Sequence, residues 1–278
     1  MKLGLFLDGE WSHNFLNQIN RKKFKISFVV GRFKLDTKLK EICKKKKIPF
    51  FTKKNVNSKK TIFFIKKNNC DLFVSLSYDQ IFKEEILSLY KNKIINCHAG
   101  YLPFYRGRNV LNWAIVNGEK YFGISTHFID KGIDTGKIII RSKYKISMND
   151  TYNTILKKAF INCPKILIKT LNLIESKKKI NLISQDYLKN QKFYYRKRNT
   201  NDEIINLSLS IEKIHNLIRS ISYPGPKAKL FLKKKKIKIK SSKIIRYNKK
   251  FKFTKKINFF NNKIYIKENN LLLECHYE

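Results

Sequence analysis

Asn96 and His98 stand two residues apart at the end of a short apolar run, Ile94–Cys97, and Asp134 follows 38 residues after Asn96 inside a glycine-flanked turn, Gly132-Ile-Asp-Thr-Gly136. In an extended chain, side chains two apart point to the same face, so Asn96 and His98 are expected to address one pocket. An amide donor, an imidazole and a carboxylate together suit acyl transfer to an amine. The acyl oxygen becomes negative as the amine adds, and an Asn N–H can stabilise it. The amine must shed a proton, which a neutral His can accept. A nearby Asp can orient the His, raise its basicity or order a relaying water. None of the three has to become acylated. Taken singly, each residue has a plainer reading: a strand-end His beside an Asn is commonly structural, and an Asp between glycines commonly forms a turn.

The elements that must position these residues follow from hydrophobic pattern. Lys2–Leu7, Lys25–Val30, Ile48–Phe51, Asp71–Leu76 and Ile94–Cys97 read as strands. Helices are expected between them: one capped by Ser12 and running to about Asn20, one over 37–47, one behind Ser58 to about Lys67, and one over 82–90. This alternation implies a Rossmann-like α/β arrangement, a mostly parallel sheet with helices on both faces. Ligands of such sheets bind where strands end and loops begin, which is where Asn96 and His98 fall. No G-x-G-x-x-G follows the first strand, so a dinucleotide cofactor is not indicated. His98 to Gly107 reads as a loop, Val110–Asn117 as a helix stopped by Gly118, and Phe122–Ile129 and Lys137–Ile140 as strands. A long amphipathic helix over 151–175 closes this part. Beyond about 180 the texture changes. Ile211–Ile221 suits a helix, Tyr223-Pro-Gly-Pro226 a turn, and from Lys229 onward Lys alternates with apolar residues, as in a small barrel or antiparallel sheet. The expected division is 1–185 for an α/β domain and 186–278 for a β-rich, OB-like domain.

The reactive residues sit in a longer pattern. Ile95-Asn-Cys-His-Ala-Gly-Tyr-Leu-Pro103, Arg106-Gly107, Trp113-Ala-Ile115, Gly123 and Asp130-Lys-Gly-Ile-Asp-Thr-Gly136 resemble, in type and order, the catalytic signature of the formyltransferases that use N10-formyltetrahydrofolate. The resemblance implies the formyltransferase fold and places that family's catalytic Asn, His and Asp on Asn96, His98 and Asp134. It implies N10-formyltetrahydrofolate as co-substrate, with no metal. Its pocket would be lined by the segment Ser75–Ile81, through Ser77, Tyr78, Gln80 and Ile81, and by backbone at Asp130 and Gly132. The loop around 98–108 would close over the amine.

Two branches of that family continue into a β-rich C-terminal domain. Methionyl-tRNA formyltransferases usually read S-L-L-P after the His and R-G-A-x-P further on. Here Ala99-Gly-Tyr-Leu-Pro103, Tyr105-Arg-Gly-Arg-Asn109 and Leu111-Asn-Trp-Ala114 look more like the sugar N-formyltransferases. So do Trp11-Ser-His-Asn14, Val56-Asn57-Ser58, Tyr194-Tyr-Arg-Lys-Arg198 with Asp202, and Ser222-Tyr-Pro-Gly225. The expected substrate is a nucleotide-linked amino-dideoxy sugar, first of all dTDP-4-amino-4,6-dideoxyglucose, used for surface polysaccharide; initiator methionyl-tRNA is the alternative. A sugar nucleotide offers a pyrophosphate for Arg196, Lys197 or Arg198 and a flat base for Tyr194, Tyr195 or Tyr223. Trp11, Arg106 and Arg108 complete the expected substrate contacts. Trp113 is expected in the core, and His127 and His215 are read as structural.

Composition bounds the rest. Of 278 residues, 61 are Lys or Arg and 20 are Asp or Glu, a formal net charge of +41. Alone, that balance points to nucleic acid or an anionic surface. Only nine of the basic residues are Arg, however, and Lys, Ile, Asn, Phe and Tyr share AT-rich codons, so base composition explains most of the lysine, the runs at 44–47 and 233–236 included. Five scattered Cys without C-x-x-C spacing fit a reducing compartment and argue against a zinc site. The N-terminus lacks the apolar core of a signal peptide, and no apolar run reaches the roughly 20 residues of a membrane span, so a cytoplasmic location is expected. Exposed edges of the C-terminal β-region make a homodimer through that region reasonable.

Overall fold

Five consecutive residues of β1 (Lys2–Leu7) are buried, because this strand runs through the middle of a sheet with parallel partners on both sides, β2 (Lys25–Gly31) and β4 (Leu72–Leu76). In this computed structural model, residues 1–33, 36–186, 194–232, 235–247, 253 and 255–278 are described. They form two compact units. The larger comprises 1–106, 123–143 and 158–194; the smaller comprises 107–122, 144–157 and 195–278. The 233–236 lysine run and the start of the Phe251 segment fall partly outside the described residues.

The sheet of the larger unit has seven strands in the order β3-β2-β1-β4-β5-β7-β8, with β3 at Phe50–Thr52, β5 at Ile94–His98, β7 at Tyr121–Phe128 and β8 at Ile138–Lys145. β3 to β5 pair in parallel, as the βα alternation implies, whereas β5 and β7 pair antiparallel. That exception sets the register of the site, placing Asn96 opposite His127 and His98 opposite Ser125. Four helices follow the early strands: α1 (Gly9–Gln18), α2 (Thr37–Lys45), α3 (Lys59–Asn68) and α4 (Glu84–Leu89). Phe6, Phe28, Phe73 and Phe82 pack with Ile62 and Ile65 of α3 and Ile86 of α4, so this layer excludes water with aromatic rings.

Local signals acted as expected at some helix ends and not at others. Ser58 caps α3 by accepting from Thr61 N at 3.3 Å, and Asp36 caps α2 by accepting from Leu39 N at 2.9 Å. Ser12, expected as the cap of α1, lies inside it, and Asp8 occupies the N-cap position. The sheet decides this: Ser12 Oγ accepts from Asp8 N and donates to Asp8 O, both at 2.9 Å, and reaches Leu76 O at the end of β4. The long helix α6 (Tyr152–Glu175) contains Pro164, which has no N–H for the carbonyl of Phe160; Asn14 supplies the missing donor at 3.2 Å.

In the smaller unit, an antiparallel sheet runs in the order β10-β11-β14-β13-β12: β10 Ala228–Leu232, β11 Lys235–Arg246, β12 Ile257–Phe260, β13 Lys263–Glu268 and β14 Leu271–Tyr277. Its inward Ile239, Ile264, Ile266 and Leu273 pack on Ile211, Ile214, Ile218 and Ile221 of the helix α7 (Ile211–Ser220) and its C-cap. The alternation of Lys with apolar residues is therefore a one-sided sheet, with Lys238 and Lys240 turned to solvent. A helix α5 (Val110–Val116) ends at Gly118, whose φ of +70° terminates it as expected. Two short strands, β6 (Arg106–Gly107) and β9 (Tyr194–Tyr195), pair separately.

Candidate active site

Strand β5 ends with Asn96 and His98 on one side of the sheet, and the loop after β7 brings Asp134 to them. Asn96 Nδ2 lies 3.5 Å from Asp134 Oδ1, and His98 Nδ1 lies 3.6 Å from Asp134 Oδ2. Two of the three residues singled out by type and spacing thus meet at the carboxylate of the third. A fourth joins them: His127 Nε2 is 3.4 Å from Asp134 Oδ1 and 3.3 Å from Asn96 Nδ2. His127, read from sequence as a structural strand residue, is opposite Asn96 only because of the antiparallel β5–β7 register. The carboxylate keeps 11% of its side-chain exposure, against 9% for His98 and 2% for His127, so charge here is weakly screened.

The hydrogen bonds assign the tautomers. His98 Nε2 meets the main-chain oxygen of Tyr105 at 2.6 Å, and a carbonyl only accepts, so Nε2 carries the proton. In the neutral ring the lone pair is then on Nδ1, facing Asp134. A lone pair opposite a carboxylate at 3.6 Å is a site for a donor to enter, such as an amine or a water. His127 likewise donates from Nδ1 to Phe128 O at 2.8 Å, leaving Nε2 to accept from the Asn96 amide. Separations of 3.3 to 3.6 Å are long for hydrogen bonds, as is common before a substrate tightens such a group.

The loop after His98 is braced by the sheet. Ser125 Oγ donates to Gly100 O at 2.8 Å and accepts from Leu102 N at 3.1 Å, and Arg141 donates to Leu102 O at 2.8 Å. A Cβ at Gly100 would collide with Tyr105 O and His98 Nε2, so glycine is required for the loop to lie against the imidazole. Arg141 and Lys143 stand 4.7 and 4.6 Å from the Tyr101 ring, which stacks on Phe104.

Asp134 adopts φ +55°. Gln185, a buried residue that sequence reasoning did not single out, holds the turn from outside: its Nε2 donates to Asp134 O at 3.1 Å and Gly136 O at 2.6 Å. Its Oε1 accepts from Arg106 Nε and Nη2 at 3.1 and 2.8 Å. Arg106 is thereby tied to the loop of Asp134. Nothing in the sequence pairs residue 185 with residue 136; the link is visible only once the chain is folded.

Of the segments expected to line a folate pocket, several side chains already have internal work. Gln80 accepts from Val56 N at 2.7 Å and donates to Lys53 O at 2.9 Å, while Tyr78 packs its ring against Phe6 and Phe82. Asp130 accepts from Thr135 Oγ1 at 2.5 Å and from Gly132 N at 3.2 Å, shaping its own loop. Ser77, in a left-handed conformation, and Ile81 are exposed, as is Ile133. These segments offer main-chain groups and exposed apolar side chains, which fit a flat heterocycle held by backbone contacts.

The expected substrate residues are distributed. Trp11 packs edge-on against Phe160 at 4.6 Å. Within the smaller unit, Trp113 is half-buried rather than in the core. Its Nε1 donates to Arg196 O at 3.0 Å, Tyr195 lies 5.7 Å away, and the guanidinium groups of Arg196 and Arg198 stand 5.6 and 5.1 Å from its ring. Arg196 forms a two-pronged pair with Asp202 at 2.7 and 2.6 Å, which holds its charge in place and keeps the Asp202 carboxyl below its usual range. Arg108 is exposed, its N–H bonded to Tyr195 O at 2.9 Å; Tyr194 and Tyr223 are exposed too. Among the described residues no group of His, Cys, Asp and Glu is arranged to hold a metal, and no helix is long and apolar enough to cross a membrane.

A seven-stranded α/β sheet with this constellation at its strand ends, joined to an antiparallel β-unit, is the formyltransferase fold. The chain belongs to the formyl transferase family: the formyl transferase domain matches residues 19–171, and the formyl transferase C-terminal domain matches 197–276. The bifunctional polymyxin resistance protein ArnA of Wigglesworthia glossinidia brevipalpis is 40% identical over 200 residues, which cover 72% of this chain and 30% of that protein. Methionyl-tRNA formyltransferase of Clostridium tetani is 35% identical over 191 residues, 68% of this chain and 60% of that enzyme. The chain thus matches from under a third to three-fifths of the length of these relatives. In fold it is similar to WlaRD, a sugar 3N-formyl transferase crystallised with dTDP and 5-N-formyl-THF (TM-score 0.78, 22% identity, 100% of this chain and 97% of that one). It is also similar to the N-formyltransferase from Helicobacter canadensis in complex with folinic acid and dTDP-3-aminofucose (TM-score 0.73, 21% identity, 100% and 99%).

Proposed function

We propose that this chain transfers the formyl group of N10-formyltetrahydrofolate to the free amine of a nucleotide-linked amino-dideoxy sugar, for surface polysaccharide. dTDP-4-amino-4,6-dideoxyglucose is the first candidate. The observation that carries the reading is the approach of Asn96 and His98 to Asp134 at 3.5 and 3.6 Å. The folate supplies an electrophilic formyl carbon. Asn96 Nδ2 donates to the formyl oxygen as negative charge grows on it. His98, anchored by Tyr105 O, receives at Nδ1 the proton released as the new C–N bond forms, and returns it to the departing folate nitrogen. Asp134 stabilises the imidazolium in between. Residues 1–185 are read as the catalytic portion and 186–278 as the β-rich C-terminal domain.

The sugar reading is supported by Ala99-Gly100, where the loop lies against His98, and by the Trp113, Tyr195, Arg196 and Arg198 cluster, whose aromatic faces and fixed charges suit a base and a pyrophosphate. It is also supported by likeness in fold, over the whole chain, to a sugar 3N-formyl transferase and to an N-formyltransferase in complex with dTDP-3-aminofucose. Both of these act at, or bind, 3-amino sugars by name, so the 3-amino isomer is the second candidate. The competing reading, formylation of methionyl-tRNA, is favoured by relatives of that name and by the +41 charge.

The test is incubation of the protein with N10-formyltetrahydrofolate and one amine at a time: the two dTDP-amino sugars and methionyl-tRNA. Release of tetrahydrofolate is followed. Turnover of a sugar nucleotide and not of the tRNA is expected, and the reverse result overturns the sugar assignment. His98→Ala should lose most of the rate and keep folate affinity; near-wild-type activity refutes the role given to His98.

A further inference from the structure

The smaller unit encloses a cavity of about 290 Å³ that the proposed reaction does not use. Arg219 and His215, one turn apart on α7, form one wall. Ser242 and Lys243 of β11, Ser222 after α7 and Met148 ahead of α6 form others.

The lining of this cavity holds two cationic side chains and no acidic one. Arg219 is 5% exposed, and its bonds go to neutral oxygens: Nε to Asn216 Oδ1 at 2.9 Å, Nη1 to Ser147 O at 2.9 Å and Asp150 O at 2.7 Å. Among the described residues no carboxylate lies within ion-pair distance of it; the nearby Asp150 charge only partly offsets the burial that pushes its pKa down, and Nη2 donates to no protein group. Burial of a guanidinium costs more than the Asp150 charge returns, and an anion in the cavity supplies both the remaining compensation and a partner for Nη2. Lys243 adds a second cation at the exposed rim. Its cross-strand neighbour Glu274 is engaged with Lys263 at 3.0 Å, and no acidic side chain lines the cavity.

The neutral groups are suited to the same ligand. His215 Nε2 donates to Met148 O at 3.3 Å, so in the neutral ring Nδ1 accepts from Ser242 Oγ at 2.9 Å. A proton gained by the ring reverses that bond and frees the Ser242 hydroxyl to donate into the cavity. The groups facing His215 in this step are Arg219 on its own helix, Ser242 on β11 and the Met148 carbonyl. A purely structural Arg219, tying residues 147–150 to α7, accounts for Nε and Nη1 but not for Nη2, Lys243 or the absence of acid from the lining.

We infer that this cavity binds the phosphate group of a small phosphorylated molecule, its oxygens facing Arg219 and Lys243 and the remainder lying against Met148 and Ile244. The experiment is NMR of the full chain with labelled histidines, the His215 ring resonance being assigned by its loss in His215→Gln. Inorganic phosphate and glycerol phosphate are titrated at constant ionic strength. The His215 resonance should move saturably with phosphate and not with chloride, while the His98 resonance does not follow it. Lys243→Gln, outside the proposed reaction centre, should weaken the apparent affinity about fivefold or more. Tighter binding of glycerol phosphate assigns the site to an organic phosphate, and equal or weaker binding assigns it to the free ion. A His215 resonance unmoved by phosphate on the order of 10 mM, or one that titrates identically in Lys243→Gln, overturns the proposal.

Discussion

Gln185 donates from Nε2 to the main-chain oxygen of Gly136 at 2.6 Å, which fixes the far end of the turn that carries Asp134. The same amide reaches Asp134 O, and its oxygen holds Arg106. Gln185 is therefore a positioning residue that acts through the backbone of Asp134. Gln185→Ala leaves buried acceptors unsatisfied and should lower stability by about 1–3 kcal/mol. It should also reduce kcat at least about tenfold, because displacement of a catalytic carboxylate is expensive, while KM for the folate changes little. Steady-state kinetics with a melting curve checks both; an unchanged kcat removes the positioning role.

His127 contacts Asn96 and Asp134 at 3.3 and 3.4 Å. If it orients the Asn96 amide, His127→Phe should lower kcat by roughly ten- to a hundredfold and leave the fold intact, since the position is a well-buried strand site that accepts a ring. Asn96→Ala in the same background should then cost much less than in the wild type, because the two act as a unit. Additive losses in that double-mutant cycle would show that they act separately.

Gly100→Ala tests the fit of the loop to His98. The added methyl meets Tyr105 O and His98 Nε2, so either the loop or the ring must move. The expected cost is about 1–3 kcal/mol of stability together with a loss of most activity. Normal turnover in this variant would mean that the loop and ring relax without consequence.

His215 gives a pH prediction. Burial pushes its pKa down, and the nearby Arg219 charge pushes the same way, against the Met148 carbonyl. The unfolded chain, with a His pKa of about 6.5, then binds more protons than the native state in the window just below that value, so stability falls as the pH drops through it. The melting temperature of the wild type should decline more steeply from neutral to mildly acidic pH than that of His215→Gln. Parallel curves in phosphate-free buffer would show that His215 does not titrate in this window.

Much of the larger unit was legible in the sequence. Short apolar runs separated by capped amphipathic segments specify parallel strands and helices, because burial on both faces leaves little choice of residue at positions such as Leu5, Val74 and Ile95. Strand periodicity likewise placed Asn96 and His98 on one face, and resemblance over a contiguous signature assigned Asp134 to them. Local signals misled where a distant group competed for the same atom. Ser12 looks like a helix cap, yet its hydroxyl is used by Asp8 and Leu76, which the sheet brings to it. Trp113 has the spacing of a core residue but faces Tyr195 and two guanidinium groups.

The sequence by itself determined the repeating elements, the chemistry available at the end of β5 and the one-sided character of the C-terminal strands, because these depend on residue type and short-range spacing. Only the tertiary structure decided that His127 faces Asn96, that Gln185 clamps the Asp134 turn, and that Arg219 is buried against the 147–150 segment. Each of these is a pairing across 31 to 72 residues. Strand register and helix docking set such pairings through the packing of the whole core, and no local propensity encodes them.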